Sequence, residues 1–132
     1  MNLSTLLETA LRDLDLCSND PNYIIDMTLW HAPRLNGKCM ICLAGAYMAQ
    51  TLHLEPGKEA VPSSFDEGTR NICHALDELR LGNITTAANY LGLDFMEYAF
   101  LNREIFSYSL APDFWREDMN RLLEDLKNHE SK

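Results

Sequence analysis

The stretch GKCMICLAGAYMAQTL, residues 37–52, decides how the chain is interpreted, because it holds two of the four cysteines in the pattern Cys39-x-x-Cys42. After the first cysteine, small side chains recur every three or four residues, which is the spacing of one face of a helix. Such a face lets a neighbouring backbone approach closely, and a free cysteine behaves there as a small buried hydrophobe. The pattern predicts a central helix over about 38–53 that packs through its small residues.

Two chemical interpretations of the cysteine pair stand beside packing. At a helix N-terminus, backbone N–H groups and the helix dipole lower a thiol pKa, but redox pairs of this kind follow a strand in a βαβ unit. A zinc site needs four ligands, and the set that this chain offers is His31, Cys39, Cys42 and His53. Packing accounts for every residue of the stretch, and a small metal- or ligand-binding protein built on these four residues is the alternative.

The segment upstream, YIIDMTLWH, residues 23–31, is apolar and bounded by turn-forming residues. Its length suits a short strand or a short helix, and periodicity does not separate the two. We expect a short helix or an extended packing segment, because the sequence offers no obvious partner strand. TLWHAPR, residues 28–34, groups Trp30, His31 and Arg34, a set that can bind an anionic ligand; a core tryptophan beside a hydrogen-bonded histidine is the other interpretation.

Helical periodicity covers most of the remaining chain. A first helix ends at the turn over 17–22, and further helices are predicted at about 66–81, 83–91, 94–102 and 112–128. Glycine ends two of them, at Gly82 and Gly92, and Pro112 suits the first turn of the last. We therefore predict an all-α fold, a single irregular bundle of five to seven helices with at most one short extended segment at 23–31. Residues 1–132 are expected to form one domain with a flexible tail at about 128–132.

The charge balance excludes several classes of function. Twenty acidic and eleven basic residues give a net charge of -9, which disfavours direct binding to nucleic acid or an anionic membrane, because both need basic groups against phosphates. The acidic residues are dispersed, which favours a solvated surface over mimicry of DNA. The longest uncharged run, 39–54, is too short and too polar to span a bilayer. The N-terminal sequence lacks the basic region of a signal peptide, so we expect a cytoplasmic protein.

Aromatic residues are concentrated between Tyr90 and Tyr108. A helical domain of this size cannot bury all of them on one face, and exposed apolar patches mark interfaces. The residues predicted to contact a protein partner or a second copy of the chain are Tyr98, Phe106, Tyr108 and Trp115. Core packing alone is the other interpretation. The sequence has no nucleophile elbow, P-loop or zinc-protease motif, so we expect neither an enzyme nor a cofactor.

Residues 23–49, YIIDMTLWHAPRLNGKCMICLAGAYMA, resemble a pattern in small proteins encoded by bacteriophages and prophages. The shared elements are the Trp30-His31 pair and the run Cys39-x-x-Cys42-Leu43-Ala44-Gly45-Ala46. This resemblance implies a bacterial or phage setting and an accessory protein that acts on a host factor, without assigning roles to individual residues. Together with the composition, it predicts a non-enzymatic acidic helical protein that binds and modulates a protein partner.

Overall fold

The first helix, α1, runs from Leu3 to Ser18 in a computed structural model that describes residues 1–26, 30–33, 38–105 and 114–131. Asn2 caps it, because its side-chain oxygen accepts a hydrogen bond from the backbone N–H of Thr5 at 2.9 Å, satisfying one of the free amides of the first turn. The helix buries one face of leucines, at Leu3, Leu6, Leu7, Leu11 and Leu14.

Three short strands follow α1 and form a small mixed sheet: β1 (Tyr23–Ile25), β2 (His31–Pro33) and β3 (Cys39–Ile41). β3 is central, with β1 parallel on one side and β2 antiparallel on the other. The predicted helical character is confirmed, but the all-α class is too narrow. The segment at 23–31 was expected to lack a partner strand. Its first three residues form β1, which pairs with β3, and the residues of β3 were predicted to be helical.

The cysteine stretch therefore divides between two elements. Cys39 lies in β3, Cys42 is the N-cap residue, and the helix α2 spans only Leu43–Gln50. The predicted helix start at 38 was wrong because the backbone groups of β3 are satisfied by strands on both sides. This long-range pairing outweighs a local helical pattern.

The remaining elements are helical. They are a 3-10 turn at Pro62–Ser64, α3 (Glu67–Leu81), α4 (Ile84–Tyr90), a 3-10 helix at Phe95–Leu101 and α5 (Phe114–Glu130). Gly82 ends α3 with a φ of 86°, a backbone conformation that glycine adopts without strain. α5 continues past its predicted end at 128, and the Glu130 carboxylate accepts hydrogen bonds from the backbone N–H of Ser4 at 3.2 Å and the hydroxyl of Tyr98 at 3.3 Å.

The centre of the fold is α2, which packs against α1, α3 and the sheet. Gly45 permits the closest approach, because a Cβ added there would lie 1.5 Å from the carbonyl oxygen of Trp30. Buried residues from all five α-helices and the sheet form one hydrophobic cluster. The prediction of a central helix packed through small residues thus describes α2, with corrected bounds.

Candidate functional site

Among the predicted site residues that the structure describes, His31 and Cys39 contact each other. The register of β2 on β3 places them diagonally on one face of the sheet. The Sγ of Cys39 lies 3.3 Å from Nδ1 and 3.8 Å from Nε2 of His31. Nδ1 also lies 2.5 Å from the carbonyl oxygen of Lys58. Because a carbonyl only accepts, Nδ1 carries the hydrogen and donates it, which leaves Nε2 as an acceptor in a neutral ring.

Burial favours the uncharged form of both groups. His31 is 1% exposed and Cys39 is fully buried. Burial lowers the pKa of His31 below its ordinary value of 6.5, against the smaller opposing effect of the hydrogen bond to Lys58. Burial also raises the pKa of the Cys39 thiol. A nucleophilic cysteine requires the opposite, a thiolate that solvent and substrate can reach, so this geometry favours packing over catalysis.

Cys42 occupies a different environment from Cys39. Burial raises the pKa of Cys42 to about 11, although the backbone N–H of Gly45 opposes the shift. The position at the start of α2, which suggests an activated thiol in the sequence, is therefore outweighed by desolvation. Burial likewise raises the pKa of Cys73 on α3 to about 12. All four cysteines are free and buried, as expected of small apolar side chains.

The alternative metal set is not assembled. Of its four members, His31 and Cys39 are in contact, whereas His53 is exposed, with a φ of 58°, in the loop after α2. Within the described ranges, no group of three or more histidine, cysteine, aspartate or glutamate side chains is arranged to hold a metal ion.

The predicted ligand set also separates. The ring of Trp30 meets His74 edge-on at 6.1 Å, and His74 stacks on Tyr90 at 5.2 Å. The ring of His31 instead meets Tyr23, at 6.2 Å. Trp30 and His31 therefore pack in different aromatic clusters. Arg34 lies outside the described residues.

Two of the four predicted partner-binding residues are core residues. Tyr98 is 6% exposed and Trp115 is 4% exposed, so the prediction that they form a docking surface was wrong. Trp115 is buried on α5, and Tyr98 turns its hydroxyl to Glu130. The other two, Phe106 and Tyr108, lie outside the described residues.

Other apolar residues of the same region are exposed instead. Phe95, Met96 and Phe100 of the 3-10 helix are 44%, 67% and 70% exposed. A 3-10 helix has three residues per turn, so side chains three apart lie in line. Tyr98 and Leu101 lie on one such line and face the core, whereas Phe95, which begins the same line, and the side chains of the other two lines are exposed. We call Phe95, Met96 and Phe100 the 3-10 apolar surface.

The chain matches no protein-family model, no curated protein and no solved structure. None of the helices in the described part of the chain combines the length and the apolar character needed to cross a bilayer. The geometry of the site therefore carries the functional argument.

Proposed function

We propose that this chain is a non-enzymatic protein that binds and modulates a protein partner, and that it does so through the 3-10 apolar surface. The observation that carries the proposal is the exposure of Phe95, Met96 and Phe100 within six consecutive residues. Exposed apolar side chains that cluster in this way are typical of interaction sites, whereas isolated ones are normal on any surface.

The clustering is specific to this region. The exposed large hydrophobic residues in the described ranges are Met1, Leu16, Val61, Tyr90, Phe95, Met96 and Phe100. The last four fall within eleven consecutive residues, and the first three are widely separated in sequence. Aromatic residues and methionine are also enriched in protein interfaces, which supports a protein partner over a small molecule.

The setting of the proposed interaction follows from the sequence. The resemblance of residues 23–49 to phage and prophage proteins supports a host protein as the partner. The net charge of -9 supports a protein partner rather than nucleic acid or an anionic membrane. We place the protein in the cytoplasm on the same grounds. The alternative, a metal- or ligand-binding protein, has no comparable support, because its four residues do not converge: His53 is exposed in the loop after α2, and no three possible ligands in the described ranges are grouped to hold a metal ion.

The experiment compares two double variants in affinity capture from a host lysate. Met96→Asp with Phe100→Asp places charges on the 3-10 apolar surface. Leu16→Asp with Val61→Asp adds the same two charges at residues that are 52% and 41% exposed elsewhere. Quantitative mass spectrometry should find a protein captured by the unmodified chain and by the second variant but lost from the first.

Two other outcomes would contradict the proposal. Equal capture by both double variants would exclude the 3-10 apolar surface as the contact site. Light scattering that shows a stable dimer, dissociated only by the change at Met96 and Phe100, would assign the surface to a second copy of the chain. Circular dichroism of each variant verifies that the fold is retained.

A further inference from the structure

A solvent-open cleft lies beside the 3-10 apolar surface. It has a volume of about 270 Å³ and is lined by Thr85, Thr86, Asn89 and Phe95, so it runs between α4 and the 3-10 helix. Drug-sized ligands and cofactors occupy cavities of about 300–1,000 Å³. The cleft falls below that range, and its size suits one or two side chains of another protein.

The walls of the cleft are fixed at both ends. At one end, the side-chain oxygen of Asn102 accepts a hydrogen bond from the backbone N–H of Thr85 at 3.0 Å, and the backbone N–H of Arg103 donates to the carbonyl of Gly82 at 3.0 Å. At the other end, the backbone N–H of Leu93 donates to the carbonyl of Ala88 at 3.0 Å. A cleft held in this way needs little reorganisation to accept an occupant, which favours binding.

The charged residues in the segment that borders the cleft are acidic. Asp94 and Glu97 are exposed on either side of Phe95, and the sequence from 83 to 102 contains neither lysine nor arginine. The next cation along the chain, Arg103, is paired with Asp125 at 2.8 Å. Glu97 also helps to raise the pKa of Tyr98 to about 12, after the larger effects of burial and Glu130. The local field thus attracts a cationic partner and repels an acidic one.

We propose that this cleft takes an aliphatic side chain from a basic segment of the partner protein, whose lysine or arginine residues pair with Asp94 and Glu97. The inference rests on the proposed function and specifies the partner's chemistry: an amphipathic segment with one apolar face and a positively charged flank. Phe95 links the two parts of the contact, because it both lines the cleft and belongs to the 3-10 apolar surface. A second copy of this chain is disfavoured as the occupant, since each copy carries a charge of -9.

The test titrates the intact protein with two synthetic amphipathic peptides by isothermal calorimetry. Both peptides have the same leucine face, and the opposite face carries lysine in one and glutamate in the other. The lysine peptide should bind, with an affinity that falls as salt is added, and the glutamate peptide should not. Binding of neither peptide, or of both equally, would overturn the inference.

Paired variants locate the contact. Asp94→Asn with Glu97→Gln should weaken binding of the lysine peptide about fivefold, the scale of two exposed ion pairs. Asparagine retains the capping role of Asp94, whose carboxylate accepts from the backbone N–H of Met96 at 3.2 Å. Glu55→Gln with Glu59→Gln removes the same charge from an exposed loop and should leave the affinity unchanged. Equal weakening by both pairs would indicate diffuse attraction to an acidic surface and would overturn the inference.

The apolar anchor has its own control. Phe95→Ala removes one wall of the cleft and should weaken binding about fivefold or more, as truncation of an aromatic anchor does. Val61→Ala truncates a side chain of similar exposure, 41% against 44%, and should have no effect. An unchanged affinity for Phe95→Ala would exclude the cleft.

The same variants separate this inference from the proposed function. Suppose that a lysate partner is lost on changing Met96 and Phe100 but retained by the Asp94 and Glu97 variant. The proposed function would then stand, and the inference that the partner contributes a basic segment would be overturned. If both variants retain every captured protein, the proposed function itself is overturned.

Discussion

Replacing Gly45 by alanine tests the packing role of the small residues in α2. An ideal Cβ at Gly45 would lie 1.5 Å from the carbonyl oxygen of Trp30 and 3.0 Å from the Cβ of Ile41. Carbon and carbonyl oxygen atoms settle at about 3.3–3.6 Å even in attractive contacts. The Trp30 carbonyl or α2 must therefore move by about 2 Å. The obstacle is backbone next to β2, so no side-chain rotation relieves it.

The magnitude follows from two opposing effects. Overpacking a well-packed core costs about 1–3 kcal/mol, and the backbone obstacle places Gly45→Ala at the upper end of that range. Alanine recovers about 0.5–1 kcal/mol of helix stability relative to glycine. The net loss in the free energy of unfolding is about 2 kcal/mol, a large share of the roughly 5–15 kcal/mol that stabilises a typical domain.

Gly68→Ala is the matched control. Gly68 lies in the first turn of α3, and the only atom that its added Cβ would meet within 4 Å is Oδ2 of Asp66, at 3.9 Å. This variant should gain about 0.5–1 kcal/mol. Urea unfolding, followed by tryptophan fluorescence and far-ultraviolet circular dichroism, compares both variants with the unmodified chain. Equal stability of the two variants would refute the argument that Gly45 is required for the approach of Trp30 to α2.

Three further changes probe the fold. Gly82→Ala should be destabilised by at least about 1 kcal/mol more than Gly92→Ala in urea unfolding. Both glycines have positive φ, but a Cβ added at Gly82 would lie 2.1 Å from a backbone oxygen, whereas one added at Gly92 would meet nothing within 4 Å. Thr51→Val should cost about 1–3 kcal/mol at neutral pH, because it removes the hydroxyl that donates to buried Asp13 at 2.5 Å; the cost should shrink in an Asp13→Asn background, measured as a double-mutant cycle. His31 should make stability fall as the pH drops below 6.5, since its pKa is lowered in the folded state and the unfolded chain takes up the proton first; His31→Phe should flatten that part of the pH profile of urea midpoints.

The helices with a clear amphipathic pattern were predictable from the sequence. α1, α3, α4 and α5 lie within a few residues of their expected positions. Their periodicity is a local property, and Gly82 and Gly92 mark two of the boundaries as residues with positive φ. The N-cap residue of α3 is Asp66, which coincides with the predicted start of the helix.

The sheet was not predictable in the same way. Each strand has three residues, which is too short for alternation to stand out from a helical pattern. Its partners are distant in sequence, since Tyr23 pairs with Cys39 in the parallel ladder. The contact between His31 and Cys39 depends on the antiparallel register of β2 on β3 and on nothing local. The sequence contains one signal of these strands, the alternation of residue types within each short apolar segment. Many segments that do not form strands share this signal.

The exposed surface was missed because helix type, and not composition, selects which aromatic residues are buried. The sequence predicts an ordinary helix over 94–102, whereas residues 95–101 form a 3-10 helix. In that geometry Tyr98 is aligned with Leu101 toward the core, and Phe100 falls on a solvent-facing line. The aromatic content of this region was compatible with an exposed patch as well as with core packing alone, and it did not show which residues would be exposed.

Backbone hydrogen bonds tie the 3-10 helix to α4 at both ends. Leu93 is bonded to Ala88 and Arg103 to Gly82, so the chain returns along α4 in the intervening residues. Between these ties the segment is a 3-10 helix in which Tyr98 and Leu101 are directed inward and Phe100 stays in solvent. The exposed apolar surface is thus built into a fixed frame and does not depend on a mobile segment, which is the arrangement expected where binding energy is not to be lost in ordering the site.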